Sequence, residues 1–337
     1  MGDGAERVRR PAQRCLTTER KSLMRIEAFD AARHLEDLQR LVNLHLAAVI
    51  PGWALPAEYI ERRLRRVPEE RIVDPWVIER RTLCAIEGGA VVAAVHLHRY
   101  GGGPEVGNDY RSSGDIQWAL SWPSRDAAAV ALLGEARRCL REWNVPVERA
   151  YMRLPVPVLC GIADAWPHLA QALRRAGFQS TTEEYAQEAV WGGRLPGGGD
   201  SGPLGEGVSK VSAPPIEGLA LVRRLTRWGD TAFCAVFGGG EIGYCAIRTD
   251  LTDGGQIAPL ARWAMLADFD VDEARRNRGV GTWLLQQALE WMRLAGCDRI
   301  VFAVSEDEEG VRAGRLYRRF GWSALAHLEK EWLADVI

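Results

Sequence analysis

Arg276-Asn277-Arg278-Gly279-Val280-Gly281 is the most informative segment of this sequence. It lies between an apolar run typical of a strand, residues 263–271, and an amphipathic segment typical of a helix, residues 282–294. Gly279 and Gly281 have no Cβ atom, so a ligand can approach the backbone closely, and the first turn of the helix offers unpaired N–H groups at the positive end of its dipole. The stretch therefore predicts a cradle for a pyrophosphate.

Side chains of the same stretch add to this predicted cradle. Arg276 and Arg278 bring positive charge, and the hydroxyl of Thr282 can donate to a phosphate or serve in the start of the helix. Together with Asn277, Val280 and the two glycines, these residues form the predicted phosphate site.

The spacing of the glycines excludes two other phosphate-binding loops. No Gly-Lys-Ser/Thr follows, as a Walker loop requires, and Leu284 stands where G-x-G-x-x-G needs its third glycine. What fits is Arg-x-x-Gly-x-Gly, followed about 35 residues later by Leu-Tyr-Arg-Arg-Phe-Gly-Trp at residues 316–322. In this order and spacing, the two motifs resemble those of the GNAT superfamily of N-acetyltransferases. The resemblance covers residues 218–332.

The resemblance implies a cosubstrate, acetyl-CoA, and a way of binding it. In GNAT enzymes the strand before the loop splays from its neighbour and pairs with the pantetheine arm, which assigns that role to Phe269 and Val271. The tyrosine of the Leu-Tyr motif commonly protonates the departing thiolate, and the matching residue is Tyr317. The chain departs from the family at Gly310, where an asparagine that contacts CoA is often found.

Attack of an amine on a thioester also needs a base and donors for the oxyanion. Backbone N–H groups near residues 269–271 are candidates for the oxyanion site, and Asp268 and Asp270 are candidate bases, directly or through water. Burial in a cleft would raise the pKa of either carboxyl toward the working range. The alternative is that both are exposed carboxylates at a loop end. A bulge in this strand would change which of them faces the substrate.

Composition restricts the class of protein. The 337 residues exceed the size that one hydrophobic core usually supports, and a formal charge of −2, from 43 basic and 45 acidic residues, gives no field to hold nucleic acid or an anionic membrane. Seven cysteines without a C-x-x-C pair, and no secretory signal or membrane-length apolar run, indicate reduced thiols. His96 and His98 share a strand face but lack a third ligand, so no metal is expected. We expect a cytoplasmic monomer or homodimer.

The chain repeats itself. Residues 172–178 match residues 316–322 at an offset of 144, and residues 85–92 match residues 235–242 at an offset of 150. The second pair has two apolar runs around a glycine-rich turn, which is typical of a hairpin. We therefore predict an α/β (α+β) protein of two tandem GNAT-like domains, each a mixed, mostly antiparallel twisted sheet flanked by helices.

Predicted boundaries follow from composition. They are a flexible extension at 1–23, a first copy at 24–190, a linker rich in Gly, Ser and Pro at 191–215, and a second, acetyl-CoA-binding catalytic copy at 216–337.

The first copy lacks the residues that the chemistry needs. It has no glycine for phosphate approach at residues 122–129, and Leu173 replaces Tyr317. Leucine cannot give a proton to a thiolate. We interpret the first copy as a degenerate domain, kept for packing and as one wall of the substrate cleft. Whether it retains CoA binding stays open.

The sequence thus predicts an acyl-CoA-dependent N-acyltransferase that moves an acetyl group from acetyl-CoA to a primary amine. We expect a small acceptor, such as an amino sugar, a polyamine, an antibiotic-like metabolite or an amine of thiol biosynthesis. Two alternatives remain. One is a non-catalytic acyl-CoA-binding or scaffold protein, and the other is an enzyme that acetylates a protein or peptide.

Overall fold

The computed structural model describes residues 24–66, 73–181, 187–196 and 213–334. The predicted extension at 1–23 and most of the predicted linker lie outside these ranges. Within them, no helix is long and apolar enough to cross a membrane.

The first half of the described chain alternates strands and helices. Its elements are β1 (Arg25–Ala28), α1 (Ala31–Val49), α2 (Ala57–Arg65), β2 (Val77–Glu87), β3 (Ala90–Tyr100), β4 (Gly114–Ser121), α3 (Asp126–Glu142), β5 (Glu148–Ala150), β6 (Ile162–Ala163), α4 (Pro167–Arg175), β7 (Gln179–Ser180) and β8 (Gln187–Arg194).

The second half has fewer helices. Its elements are β9 (Ala220–Leu225), β10 (Thr231–Phe237), β11 (Gly240–Arg248), β12 (Trp263–Val271), α5 (Val280–Leu294), β13 (Arg299–Ser305), α6 (Glu308–Arg319), β14 (Ser323–Glu329) and β15 (Trp332–Ala334). Only residues 226–230 separate β9 from β10, whereas α1 and α2 lie between β1 and β2.

The strands form two sheets. The first has the order β1-β2-β3-β4-β5-β15-β7, and the second has the order β6-β14-β8-β13-β12-β11-β10-β9. Most neighbours are antiparallel, and β4 with β5 and β12 with β13 are parallel. The predicted mixed, mostly antiparallel fold with flanking helices is confirmed.

Both predicted hairpins are present. Gly88 and Gly89 turn β2 into β3 with φ angles of 60° and 90°, and Gly238 and Gly239 turn β10 into β11 with 60° and 85°. Positive φ at two successive residues is what a tight two-residue hairpin turn requires, and glycine adopts it without strain.

The repeat extends to the irregularities of the two sheets. The register shifts between His96 and Leu97 in β3, and again between Ala246 and Ile247 in β11, which is the same offset of 150. Structurally equivalent positions of the two copies can therefore be compared residue by residue.

The two sheets exchange strands. β15, from the end of the chain, lies between β5 and β7 of the first sheet, while β8 lies between β13 and β14 of the second. The predicted boundary at 190/191 thus falls inside β8, and residues 191–194 are strand rather than linker. Gly192 and Gly193, which suggested a linker, permit close packing: a Cβ on Gly192 would lie 2.9 Å from the carbonyl oxygen of Ile300.

The two halves share a core. Trp53, after α1, packs edge-on against Trp263 of β12 with ring centroids 5.5 Å apart. One hydrophobic cluster contains residues of α1, α3 and α4 together with Val301 of β13 and Leu328 of β14. Burial of this apolar surface holds the first copy against one face of the second sheet.

Candidate active site

β12 and β13 separate partway along their length. They pair from Trp263 with Arg299 to Met265 with Val301, and no further pairing with β13 follows. On its other side β12 stays paired with β11 as far as Val271. A cavity of about 990 Å³ opens between the diverging strands and is bounded by the start of α5 and by α6.

The backbone of β12 offers hydrogen-bonding groups to this cavity. Asp272 N–H donates to Ile242 O at 3.0 Å. Because alternate residues of a strand point their N–H and C=O groups toward the same neighbour, the groups of Phe269 and Val271 point away from β11 and toward the cavity. This is the geometry expected of the two residues predicted to pair with the pantetheine arm.

The predicted cradle adopts the backbone that its glycines suggested. Asn277 and Gly279 have positive φ angles, 63° and 82°, and α5 begins immediately afterwards. The N–H groups of residues 277–282 make no hydrogen bond to any residue that the structure describes. A Cβ on Gly281 would lie 3.1 Å from the Phe269 ring. The loop therefore presents free donors where an anion can approach them.

The side chains of the cradle have different surroundings. Thr282 lines the cavity, whereas the Val280 side chain is buried in the core and leaves only its N–H to the loop. Arg276 lines the cavity, but its Nε donates to Val271 O at 2.9 Å and its guanidinium pairs with Glu309 at 2.8 Å. Arg278 is exposed. Arg276 thus fastens the end of β12 to the start of α6.

Tyr317 lies in the wall of the cavity. Its side chain is 4% exposed, and its ring packs against Phe302 at 4.6 Å and Phe269 at 6.4 Å between centroids. Burial raises the pKa of the phenol above its usual value, so the hydroxyl keeps its proton at neutral pH. It makes no hydrogen bond to another described residue. The residue both packs in the core and borders the cavity.

The two candidate bases share one face of the sheet. Asp270 lies opposite Tyr244 of β11, and Asp268 is two residues away on the same side. The Tyr244 hydroxyl donates to Asp268 Oδ2 at 2.6 Å. Both carboxylates are exposed, which is the alternative that the sequence offered to burial in a cleft. The physical reason is that no helix lies between β9 and β10 to cover this face, whereas α1 and α2 lie between β1 and β2.

The presence of glycine at position 310 also has a structural explanation. A Cβ at this position would lie 1.7 Å from the carbonyl oxygen of Ser305, so the start of α6 packs too closely on β13 for any side chain. Its N–H donates to the Asp307 side chain at 2.7 Å. The asparagine common in the family has no room here.

In the first copy the corresponding cleft is closed. α3 and α4 pack against each other through Leu133, Leu173 and neighbouring apolar residues, around a cavity of only about 10 Å³. At the offset of 150, Trp118 and Leu120 take the places of Asp268 and Asp270. The first copy therefore has neither a cleft for a pantetheine arm nor a carboxylate at either candidate position.

Three features of the site were missed from the sequence. Tyr244 gave no local signal, because its partner is on another strand. Trp191 of the exchanged strand β8 packs 5.9 Å from the Tyr317 ring. Three arginines of α6 that line the cavity are spaced three and four residues apart, a signal that was present: Arg312, Arg315 and Arg319.

The histidine pair of β3 has a structural explanation. His96 and His98 contact each other through their Nε2 atoms at 3.0 Å, and burial lowers their pKa values to about 3 and about 2. Among the described residues no group of three or more possible metal ligands occurs.

Comparison with known proteins agrees with this architecture. Residues 211–322 match the model of the acetyltransferase (GNAT) family. A tandem GNAT protein from the clavulanic acid biosynthesis pathway superposes with a TM-score of 0.60 at 17% identity, covering 93% of this chain and 98% of that chain. A GCN5-related N-acetyltransferase from Sphaerobacter thermophilus gives 0.59 at 13% identity, over 93% and 97% of the two chains.

A third similar structure is the GCN5-related glucosamine N-acetyltransferase region of a fungal multi-domain GH3 β-N-acetylglucosaminidase. It gives a TM-score of 0.56 at 14% identity, covering 93% of this chain and 38% of that one. No curated protein sequence matches the chain significantly. The chain therefore has the fold of tandem GNAT proteins, and its residues 211–322 match the model of the GNAT acetyltransferase family.

Proposed function

We propose that the second copy transfers an acetyl group from acetyl-CoA to a primary amine. The observation that carries the proposal is the contrast between the two clefts. The second is about 990 Å³, with free backbone donors at its mouth and Tyr317 in its wall, whereas the first is about 10 Å³. An added strand of pantetheine would satisfy the N–H and C=O of Phe269 and the N–H of Val271, which β13 leaves unpaired, whereas Val271 O already accepts from Arg276.

In the proposed mechanism, each side of the sheet has a role. Asp268, held by Tyr244, takes the proton of the attacking amine directly or through water as the nitrogen bonds to the thioester carbon. N–H groups of β12 that face the cavity stabilise the oxyanion. As the carbon–sulfur bond breaks, Tyr317 gives its proton to the sulfur from the opposite face. Asp268 thus accepts the proton that the amine loses, and Tyr317 supplies the proton that the sulfur gains.

The acceptor that we favour is a small molecule, because the shared core places the first copy against the second sheet. Exposure of both candidate carboxylates supports a second candidate, the amine of a peptide or protein, since an open face admits a larger acceptor. For either acceptor we propose a cytoplasmic enzyme, monomeric or homodimeric, that acts without nucleic acid or membrane.

The test is release of free thiol from acetyl-CoA across a panel of amines. The panel contains amino sugars, polyamines, amino acids, and peptides with free N-termini or lysines. We expect turnover with at least one amine and the acetylated amine in equal amount by mass spectrometry. Tight CoA binding without turnover on any amine would contradict catalysis and favour the scaffold alternative.

A further inference from the structure

A row of arginines runs along α6 beside the cradle. Arg312, Arg315 and Arg319 line the cavity. Residues three and four apart on a helix lie on one face, so the three side chains form a single row.

The row is close to the cradle. A Cβ at Gly281, in the first turn of α5, would lie 3.7 Å from Leu316 Cδ2. Leu316 follows Arg315 directly in sequence, and Arg319 comes three residues later. The cradle and the row therefore line the same cavity, and the start of α5 contacts the α6 side chain that follows Arg315.

Not every arginine of the row forms an ion pair or hydrogen bond with another residue of the protein. Arg312 donates to Glu308 at 3.2 Å. Arg315 and Arg319 are exposed and form no ion pair or hydrogen bond with any residue that the structure describes. By contrast, Arg318 of the same helix packs over the Trp191 ring at 5.4 Å. Two guanidinium groups thus line a ligand cavity with their donors free.

The first copy lacks this row. At the offset of 144, Gln171 stands in the place of Arg315, and only Arg175 corresponds to Arg319. Arg175 lies 3.5 Å from Asp126 and so already has an acidic partner. Free arginines therefore occur in the copy whose cleft is open.

We propose that Arg315 and Arg319 bind the 3′-phosphate of CoA and so select CoA over its 3′-dephospho form. The inference rests on the proposed function and deepens it. The N–H groups of the cradle serve the pyrophosphate, which leaves the 3′-phosphate as the remaining anionic group of the molecule. A phosphate monoester accepts charge-assisted, bidentate hydrogen bonds from guanidinium groups.

The test is calorimetric titration of the full chain with CoA and with 3′-dephospho-CoA at low salt. We expect the wild type to bind CoA about tenfold more tightly, a modest factor because the arginines are exposed. Arg315→Gln with Arg319→Gln should remove that preference by weakening CoA alone. Arg175→Gln, the matched control in the first copy, should preserve it.

Two results would overturn the inference while leaving the proposed function intact. One is equal wild-type affinity for the two ligands. The other is an equal loss of both affinities in the double variant, which would place the arginines on the pyrophosphate. Failure of the wild type to bind either ligand would overturn the proposed function and this inference with it.

Discussion

At the scale of a single residue, Tyr317 packs in the core and, in the proposed mechanism, also protonates the leaving thiolate. Its ring is held by Phe302 and Phe269, and the raised pKa of its buried hydroxyl keeps the proton available. The sequence motif predicted the residue. Its surroundings come from β12, β13 and β8, which local pattern does not bring together.

Tyr317→Phe keeps the ring and deletes the proton donor. We expect kcat to fall by about one to three orders of magnitude, with little change in the Kd of CoA, because the acid acts after binding. Since burial raises the pKa, Tyr317 should also cause no loss of kcat up to about pH 10. Unchanged kcat with chemistry rate-limiting would contradict the acid role. An alkaline limb below about pH 9 that vanishes in the variant would instead contradict the raised pKa of Tyr317.

Asp268 and Asp270 differ in their partners. Asp268 accepts a hydrogen bond from Tyr244, whereas Asp270 lies 3.4 Å from Arg276. We expect Asp268→Asn to lower kcat by about two to four orders of magnitude and Asp270→Asn to have a smaller effect. Tyr244→Phe should lower kcat without changing the KM of acetyl-CoA. The reverse order of the two Asp variants would assign the base to Asp270.

The exchanged strands are the main finding at the scale of elements. The sequence of a short strand does not indicate which sheet the strand joins. Neither β8 nor β15 could therefore be assigned to a sheet from its residues. The repeat motifs identified both copies, but the partner of each last strand is fixed by packing over long sequence distances. Local sequence therefore sufficed to predict the hairpins. The boundary at 190/191 was wrong because it depends on this long-range packing.

The exchange makes the end of the chain part of the first sheet. Trp332 of β15 is fully buried, and its strand pairs with β5 and β7. We expect Trp332→Ala to lower the free energy of unfolding by about 3–5 kcal/mol, the usual cost of removing a large buried side chain. Trp228→Ala, at a side chain that is 51% exposed, is the control and should cost less than about 1 kcal/mol in the same denaturant titration. Equal effects would show that β15 contributes little.

At the scale of the whole molecule, two copies of one fold have diverged in their clefts. The sequence predicted the loss of glycines and of the tyrosine in the first copy. It did not predict that α3 and α4 would pack together, because residues such as Leu133 and Leu173, which line the same small cavity, are far apart in sequence. The sequence left burial and exposure of Asp268 open, because its exposure follows from the lack of a helix between β9 and β10, where the first copy has α1 and α2 between β1 and β2.

The number of CoA molecules bound per chain, measured by calorimetry, tests most directly whether only the second copy binds CoA. We predict one. Gly279→Glu should abolish binding, because it adds a negative charge to the cradle and a Cβ 3.2 Å from Pro215. Gly239→Glu, with a similar φ but in an open hairpin, should bind normally and controls for backbone strain. Two sites per chain, or one that survives Gly279→Glu, would contradict the claim that only the second copy holds CoA.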